Sequence, residues 1–391
     1  AYAAGADMTV TVTLKDAQDN AVTGASSSLT TETVTVANAT QKSGSSWRDN
    51  GDGTYTATYT ATTAGTGLKA TLRLSGWSGS AQSAGYAITA GAAAQGNAAI
   101  GLDATAYAAG ADMTVTVTLK DAQDNAVTGA SSSLTTETVT VANATQKSGS
   151  SWRDNGDGTY TATYTATTAG TGLKATLRLS GWSGSAQSAE YAIISITVKD
   201  VTVNGYTFAE GSGFPTTGFT GATFTINISP SPISDFSWTS DASWVSVDNG
   251  VVKFTGDGTG DVVTILATPK GGGYPAKYSF KLNSWFINRG SSYYTWNNAN
   301  RSCQTETNYS LPTSQQLNGN GSRQGTRGDI GGLWSEWGRL TNYDANFDGQ
   351  KQFWSDSSDS SGYHYWVSLL NGDATQAKDS VLLSVTCRKA I

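Results

Sequence analysis

Polar and apolar residues alternate along the first half of the chain with a period of two. Met8, Val10, Val12 and Leu14 are interleaved with Thr9, Thr11 and Thr13, and Tyr55, Ala57 and Tyr59 with Thr56, Thr58 and Thr60. Successive side chains of a strand point to opposite faces, so the pattern predicts antiparallel strands buried on one side. Clusters of turn residues separate them, at Asp19-Asn20, Asp49–Gly53 and Gly65-Thr66-Gly67. Several short strands within 105 residues predict a β-sandwich of immunoglobulin type. This stretch has no cysteine, so the inter-sheet disulfide of antibody domains is absent, and Trp47 and Trp77 are expected in the core or between domains. The Asp49–Gly53 stretch lacks a closing bidentate carboxylate and reads as a hairpin turn, not a calcium loop.

The pattern is repeated. Residues 1–84 recur unchanged at 106–189, an offset of 105; the first difference is Gly85 against Glu190. Identity this complete marks a recent duplication and a unit that can be added or lost without harm to its neighbours. Residues 91–105, GAAAQGNAAIGLDAT, precede the second copy, and Ala99-Ile100 within them reads as that domain's opening strand. The first copy has no such leader. The expectation is a chain cut inside an array, with a first sandwich that lacks an edge strand and is the least protected domain.

Beyond Ser195 the composition changes, and all six prolines lie there. Alternation continues through Ile196, Val198, Val201 and Val203, then Phe224, Ile226 and Ile228, then Val251, Phe254, Val262 and Ile265, which predicts a third sandwich with Trp238 and Trp244 in its core. From residue 285 the pattern changes again. Trp296, Ala299 and Cys303 share one face of a short helix, Thr313 is placed to cap a second, and strands are expected at Lys351–Trp354, Tyr363–Leu370 and Val381–Cys387. The expected domains are therefore 1–90, 91–195, 196–284 and an α+β module at 285–391.

Charge and composition narrow the function. Among 391 residues, 24 are Lys or Arg and 30 are Asp or Glu, a net charge of −6, so no basic face is available for nucleic acid. No apolar run approaches a membrane span, and no signal peptide is read at residue 1. One histidine and two cysteines nearly exclude histidine triads and multi-ligand zinc sites, and no phosphate loop or nucleophile elbow is present. No enzyme and no cofactor is expected.

Motifs in the last segment carry a resemblance. Trp296-x2-Ala-x3-Cys303, Leu311-Pro312-Thr313, Trp337-Gly338, Phe353-Trp354-Ser355 and Val385-x-Cys387 resemble the C-type-lectin-like tip of the intimin and invasin family. The repeats, with AGADMTVTVTLKDAQDNAV and NGDGTYTATYT, resemble the bacterial immunoglobulin-like domains of the same family's stalk. The resemblance implies a mainly β chain of tandem immunoglobulin-like sandwiches ending in a C-type-lectin-like domain. It further implies a fragment of an inverse autotransporter adhesin, displayed on the bacterial outer membrane by a barrel outside this chain. A rigid stalk would present a tip that binds a host protein, either a receptor such as an integrin or a secreted protein such as an immunoglobulin. The alternative is a carbohydrate-binding module, with Trp354 or Trp366 stacking on sugar rings. Cys303 and Cys387 flank the tip module, and an exported module suits a disulfide between them.

Candidate binding residues follow. The lectin signatures Glu-Pro-Asn and Gln-Pro-Asp are absent, and Trp296-Asn297-Asn298 falls in a helix, which argues against calcium-dependent sugar binding. Asp344, Asn346 and Asp348 with Gly349 match the start of a calcium loop, but position 12 is Ser355 and supplies no bidentate ligand. His364 reads as a strand residue. Arg327, Gly328 and Asp329 lie in the Gly-rich stretch 318–332, where a loop tip could offer a carboxylate to a receptor's metal ion and a guanidinium to an acidic pocket. The aromatic and acidic stretch with Trp354, Asp356 and Asp359 is the second candidate surface.

Overall fold

In the first copy, Thr54–Ala61 buries every second residue, and Tyr55, Ala57, Tyr59 and Ala61 form the sandwich interior. It pairs antiparallel with Asp7–Thr13 on one side and with Ala39–Gln41 and Arg48–Asp49 on the other. The opposing layer holds Val34–Val36, Ala70–Leu72 and Ala81–Gln82. Threonines occupy the alternate positions because their branched side chains suit a pleated surface and tolerate water. The second copy repeats this arrangement with one addition. Ala99–Leu102 pairs antiparallel with Asp112–Thr118, setting Ile100 opposite Val117, and so adds the expected opening strand. Among the described residues, none forms a strand on the corresponding edge of Asp7–Thr13.

The computed structural model describes residues 1–230, 235–343, 347 and 352–391, which fall into two compact units. Ala1–Tyr107 with Asp112–Ile193 holds both copies; Ala108–Ala111 with Ile194–Ile391 holds the rest. In this second unit, a five-stranded sheet runs in spatial order Tyr206–Ala209, Thr197–Val203, Thr223–Ser229, Val251–Phe254, Val245–Asp248. A three-stranded sheet of Phe236–Ser240, Val262–Pro269 and Ala276–Lys281 accompanies it. Trp238 and Trp244 pack, partly buried, against the core. Val251 and Val262 are 45% and 60% exposed, contrary to the expected phase, because each begins a Val-Val doublet and the buried partners are Val252 and Val263.

The last segment is α+β. Helix Trp296–Gln304 buries Ala299 and Cys303, and Cys303 is bonded to Cys387 in the strand Thr386–Ala390. Thr313 caps helix Ser314–Asn318 in a reciprocal capping box with Gln316. The expected strand Val381–Cys387 is displaced to Thr386–Ala390. A further strand, Ala374–Lys378, pairs with Tyr363–Ser368, which pairs in turn with Gln352–Trp354. The sequence Ala-Thr-Gln-Ala-Lys has no apolar alternation to announce this strand. Trp47 is buried as expected, whereas Trp77 is 40% exposed.

Candidate functional site

The site residues of 285–391 are positioned by a core shared with the third sandwich. Helix Leu333–Trp337 is buried throughout. The Trp337 ring lies 5.1 Å from Phe214 and 5.5 Å from Phe219, and its indole N–H donates to the Thr217 carbonyl and hydroxyl at 3.1 and 3.0 Å. Beside it, the Glu336 carboxylate is fully buried. It accepts hydrogen bonds from the Thr216 and Thr217 amides at 3.0 and 2.9 Å, from both threonine hydroxyls, and from the Gly331 amide at 2.8 Å. Burial pushes the Glu336 carboxyl above the usual glutamate range, and hydrogen bonds from the Thr216 hydroxyl, the Gly331 amide and the Thr217 hydroxyl and amide pull against that shift. The carboxylate thus ties the loop before helix Leu333–Trp337 to the third sandwich.

This anchoring decides how Arg327, Gly328 and Asp329 are displayed. The Arg327 guanidinium points inward, donating to the Trp334, Ser335 and Val203 carbonyls at 3.3, 2.6 and 3.1 Å. It also stacks over the Tyr206 ring at 5.1 Å, and burial lowers its pKa. Gly328, at φ +98°, packs so closely on the Tyr206 hydroxyl that any Cβ would collide with it. Asp329 and Ile330 are exposed. The loop therefore offers a carboxylate and an aliphatic side chain outward while its arginine is spent on backbone carbonyls.

The second candidate surface is also divided. Trp354 is fully buried and donates to the Tyr294 carbonyl at 2.8 Å, so its ring is not available to a partner. Asp356 and Asp359 are exposed, and Asp359 accepts a hydrogen bond from the Tyr365 hydroxyl, which raises the phenol's pKa. His364 has a more defined environment than its strand position suggested. Its ring stacks on Trp296 at 3.6 Å with a 9° interplanar angle, and Nδ1 lies 2.7 Å from Asp379 Oδ1. The Trp296 indole N–H donates to the Ser355 carbonyl at 3.0 Å, tying this stack to the acidic loop. Tyr363, at the start of its strand, and Val381 are exposed, and Leu382 and Tyr293 are 59% and 57% exposed. These segments hydrogen-bond to one another through Trp296 N to Asp379 O, Asp379 N to Gly362 O, and the Tyr294–Leu383 pair. The exposed aliphatic and aromatic residues were not singled out from sequence, where they were indistinguishable from core positions.

Asp344, Asn346 and Asp348 lie outside the described residues. Among the described residues, no group of three or more His, Cys, Asp and Glu side chains is arranged to hold a metal ion.

The family model for invasin domain 3 matches residues 1–91 and again 94–194, and that for invasin domain 4 matches 199–280. Among curated proteins, inverse autotransporter adhesin YeeJ of Escherichia coli K12 is 36% identical over 208 residues, covering 51% of this chain and 8% of its own length. Invasin of Yersinia enterocolitica is 35% identical over 154 residues, covering 38% of this chain and 18% of its own. The chain thus spans only a small part of either relative. Among solved structures, a crystal structure of invasin, described as a bacterial integrin-binding protein, aligns over 98% of this chain and 76% of that one. Its TM-score is 0.57 at 24% identity, a likeness of fold. A C-terminal 282-residue fragment of intimin, crystallised with the intimin-binding domain of the translocated intimin receptor, covers 74% of this chain and 98% of that one, with a TM-score of 0.45 and 19% identity.

Proposed function

The chain belongs to the invasin and intimin family, and on that premise we propose that it is the adhesive part of a bacterial surface protein. In this reading residues 1–90, 91–195 and 196–284 are stalk domains, displayed outside the cell by a membrane barrel. Residues 285–391 are a C-type-lectin-like tip that binds a host protein. The observation that carries the reading is the exposure of Tyr293, Tyr363, Val381 and Leu382 around the Trp296–His364 stack, next to Asp356 and Asp359. Aromatic and aliphatic anchors ringed by charge are what a protein interface uses for affinity and on-rate respectively. Such residues sit in a module whose tryptophans are all buried or half-buried.

An integrin-class receptor fits the exposed Asp329 carboxylate, which could reach a receptor-bound metal ion, with Ile330 beside it. Arg327 would act only by holding the loop. The test is host-cell binding by the intact chain, with and without chelator. Tyr363→Ala with Leu382→Ala is expected to weaken binding at least tenfold, about 1.4 kcal/mol or more. Asp329→Glu is expected to remove any chelator-sensitive part, because one methylene displaces the ligand oxygen. Full binding by both variants would overturn the assignment of the face. One observation favours the carbohydrate reading: half-buried Trp366 lines an open polar groove with Arg339, Gln352, Asn371 and Asp373. Binding competed by free sugar and lost in Trp366→Ala, but indifferent to Asp329, would select it.

A further inference from the structure

The groove beside Trp366 is built from two paired strands and a hairpin. Gln352 stands directly opposite Ser368, and Trp366, two residues back along its strand, shares their face of the sheet. The opposite face, with Phe353 and Val367, belongs to the core shared with the third sandwich. Trp366 itself packs, half-buried, against a second and smaller core that contains Trp354 and Cys303, so the indole is held in place where it borders the groove. The turn that follows is fixed by its backbone: the Ser368 amide donates to the Asp373 carbonyl and the Gly372 amide to the Ser368 carbonyl, both at 2.8 Å. The Leu340 amide donates to the Leu369 carbonyl at 3.1 Å, which brings Arg339 beside this turn. The Arg339 guanidinium is exposed and steadied by one bond, its Nε–H donating to the Thr341 hydroxyl at 2.9 Å. Among the described residues no carboxylate pairs with it. The groove is about 490 Å³ in volume, the size of a small-ligand site.

We propose that this groove binds a terminal carboxylated sugar, of the sialic acid class, with Arg339 and not a metal ion taking its negative charge. The proposal rests on the carbohydrate reading of the groove and adds the sugar's charge. The Nη donors of Arg339 are the groups that meet a carboxylate end-on, since Nε is already held by Thr341. Trp366 offers an aromatic surface to the apolar side of a sugar ring. Asp373, Asn371 and Gln352 supply acceptors and donors for hydroxyl and amide groups. Leu370 is the one aliphatic side chain among the described lining residues, enough for an acyl methyl and too little for an apolar peptide. A neutral sugar would fill the same space and leave the guanidinium without a charged partner.

The test titrates the intact chain with sialyllactose and with lactose, which differ by the carboxylated sugar alone, and reads binding by calorimetry and saturation-transfer NMR. Sialyllactose is expected to bind about tenfold or more tighter than lactose, with or without chelator, because a hydrogen-bonded charge pair is worth at least that factor. Arg339→Gln is expected to remove the preference and leave the two sugars equal. The side chain is exposed and makes a single bond, so the fold is expected to survive the change. Equal affinity of the parent for both sugars, or a preference that survives Arg339→Gln, would overturn the assignment of a carboxylated sugar and leave the carbohydrate reading standing. A preference abolished by chelator would overturn it too, since a metal ion would then hold the carboxylate. Binding of neither sugar would overturn the proposal and the carbohydrate reading together.

Discussion

Two joints between neighbouring domains in this protein are built in opposite ways. Between the first and second copies the contact includes hydrogen bonds made by a single side chain, that of Asn125. Asn125 Oδ1 accepts from the Ala64 amide at 2.8 Å, and its Nδ2 donates to the Thr62 carbonyl at 2.8 Å. The apolar core of the first copy ends within that copy. Between the third sandwich and 285–391 there is instead one core, running from Val198 to Leu369, with Trp337 and Glu336 inside it. A joint of a few hydrogen bonds lets identical units be added or removed. A joint made of core locks the last two domains into one cooperative piece, so the loop bearing Asp329 is held from both sides.

The largest expected effect is that of reducing Cys303–Cys387. The bond closes 84 residues of sequence, and in the chain-entropy model its loss costs about 4–5 kcal/mol. The shared core predicts that the third sandwich loosens together with 285–391, while the two copies, which contain no sulfur bridge, unfold as before. Domain-resolved hydrogen exchange under reducing conditions distinguishes this from loss confined to 285–391, which would mean that the core does not couple them. Next comes Trp337→Ala, expected to cost about 3–5 kcal/mol with the same distribution between domains. A loss felt in 285–391 alone would break the contrast between the joints. Glu336→Gln is expected to cost about 2 kcal/mol by urea unfolding of the second unit, because an amide –NH₂ would face the Thr216 and Thr217 donors.

These expectations show which parts of the molecule can be read in one dimension. The Thr/Val alternation determines the sandwiches because the strand period is local, and the helix face Trp296, Ala299, Cys303 and the Thr313 cap are local too. Trp77 is not legible: identical sequence buries Trp182 further only where a leader lies beside it. Nor is the orientation of Arg327, which depends on Val203 and Tyr206, more than a hundred residues earlier. Trp354 reads as a surface anchor or a core residue equally well until the Tyr294 carbonyl is placed against its indole. The exposed cluster at Tyr293, Tyr363 and Leu382 has the reverse problem, since apolar residues in short loops look like core. Candidate sites failed to be legible wherever their geometry rests on contacts distant in sequence.

The smallest effect tests the polar joint with a control that the duplication supplies. Asn125 and Asn20 occupy the same position in identical sequences, and each hydrogen-bonds the aspartate four residues earlier, Asp121 or Asp16. Only Asn125 reaches into the neighbouring copy. Substituting Asn20→Ala removes the local turn bonds alone, whereas Asn125→Ala removes those bonds and the joint. The difference between the two is the joint's own contribution, expected at about 1–2 kcal/mol for two neutral hydrogen bonds in a half-buried setting. Exchange of the Ala64 amide, whose acceptor is Asn125, reads it directly. That amide should exchange faster in Asn125→Ala and be unchanged in Asn20→Ala, although Asn20 is the one in its own domain. Equal behaviour of the two variants would mean that the copies are linked only by the chain between them.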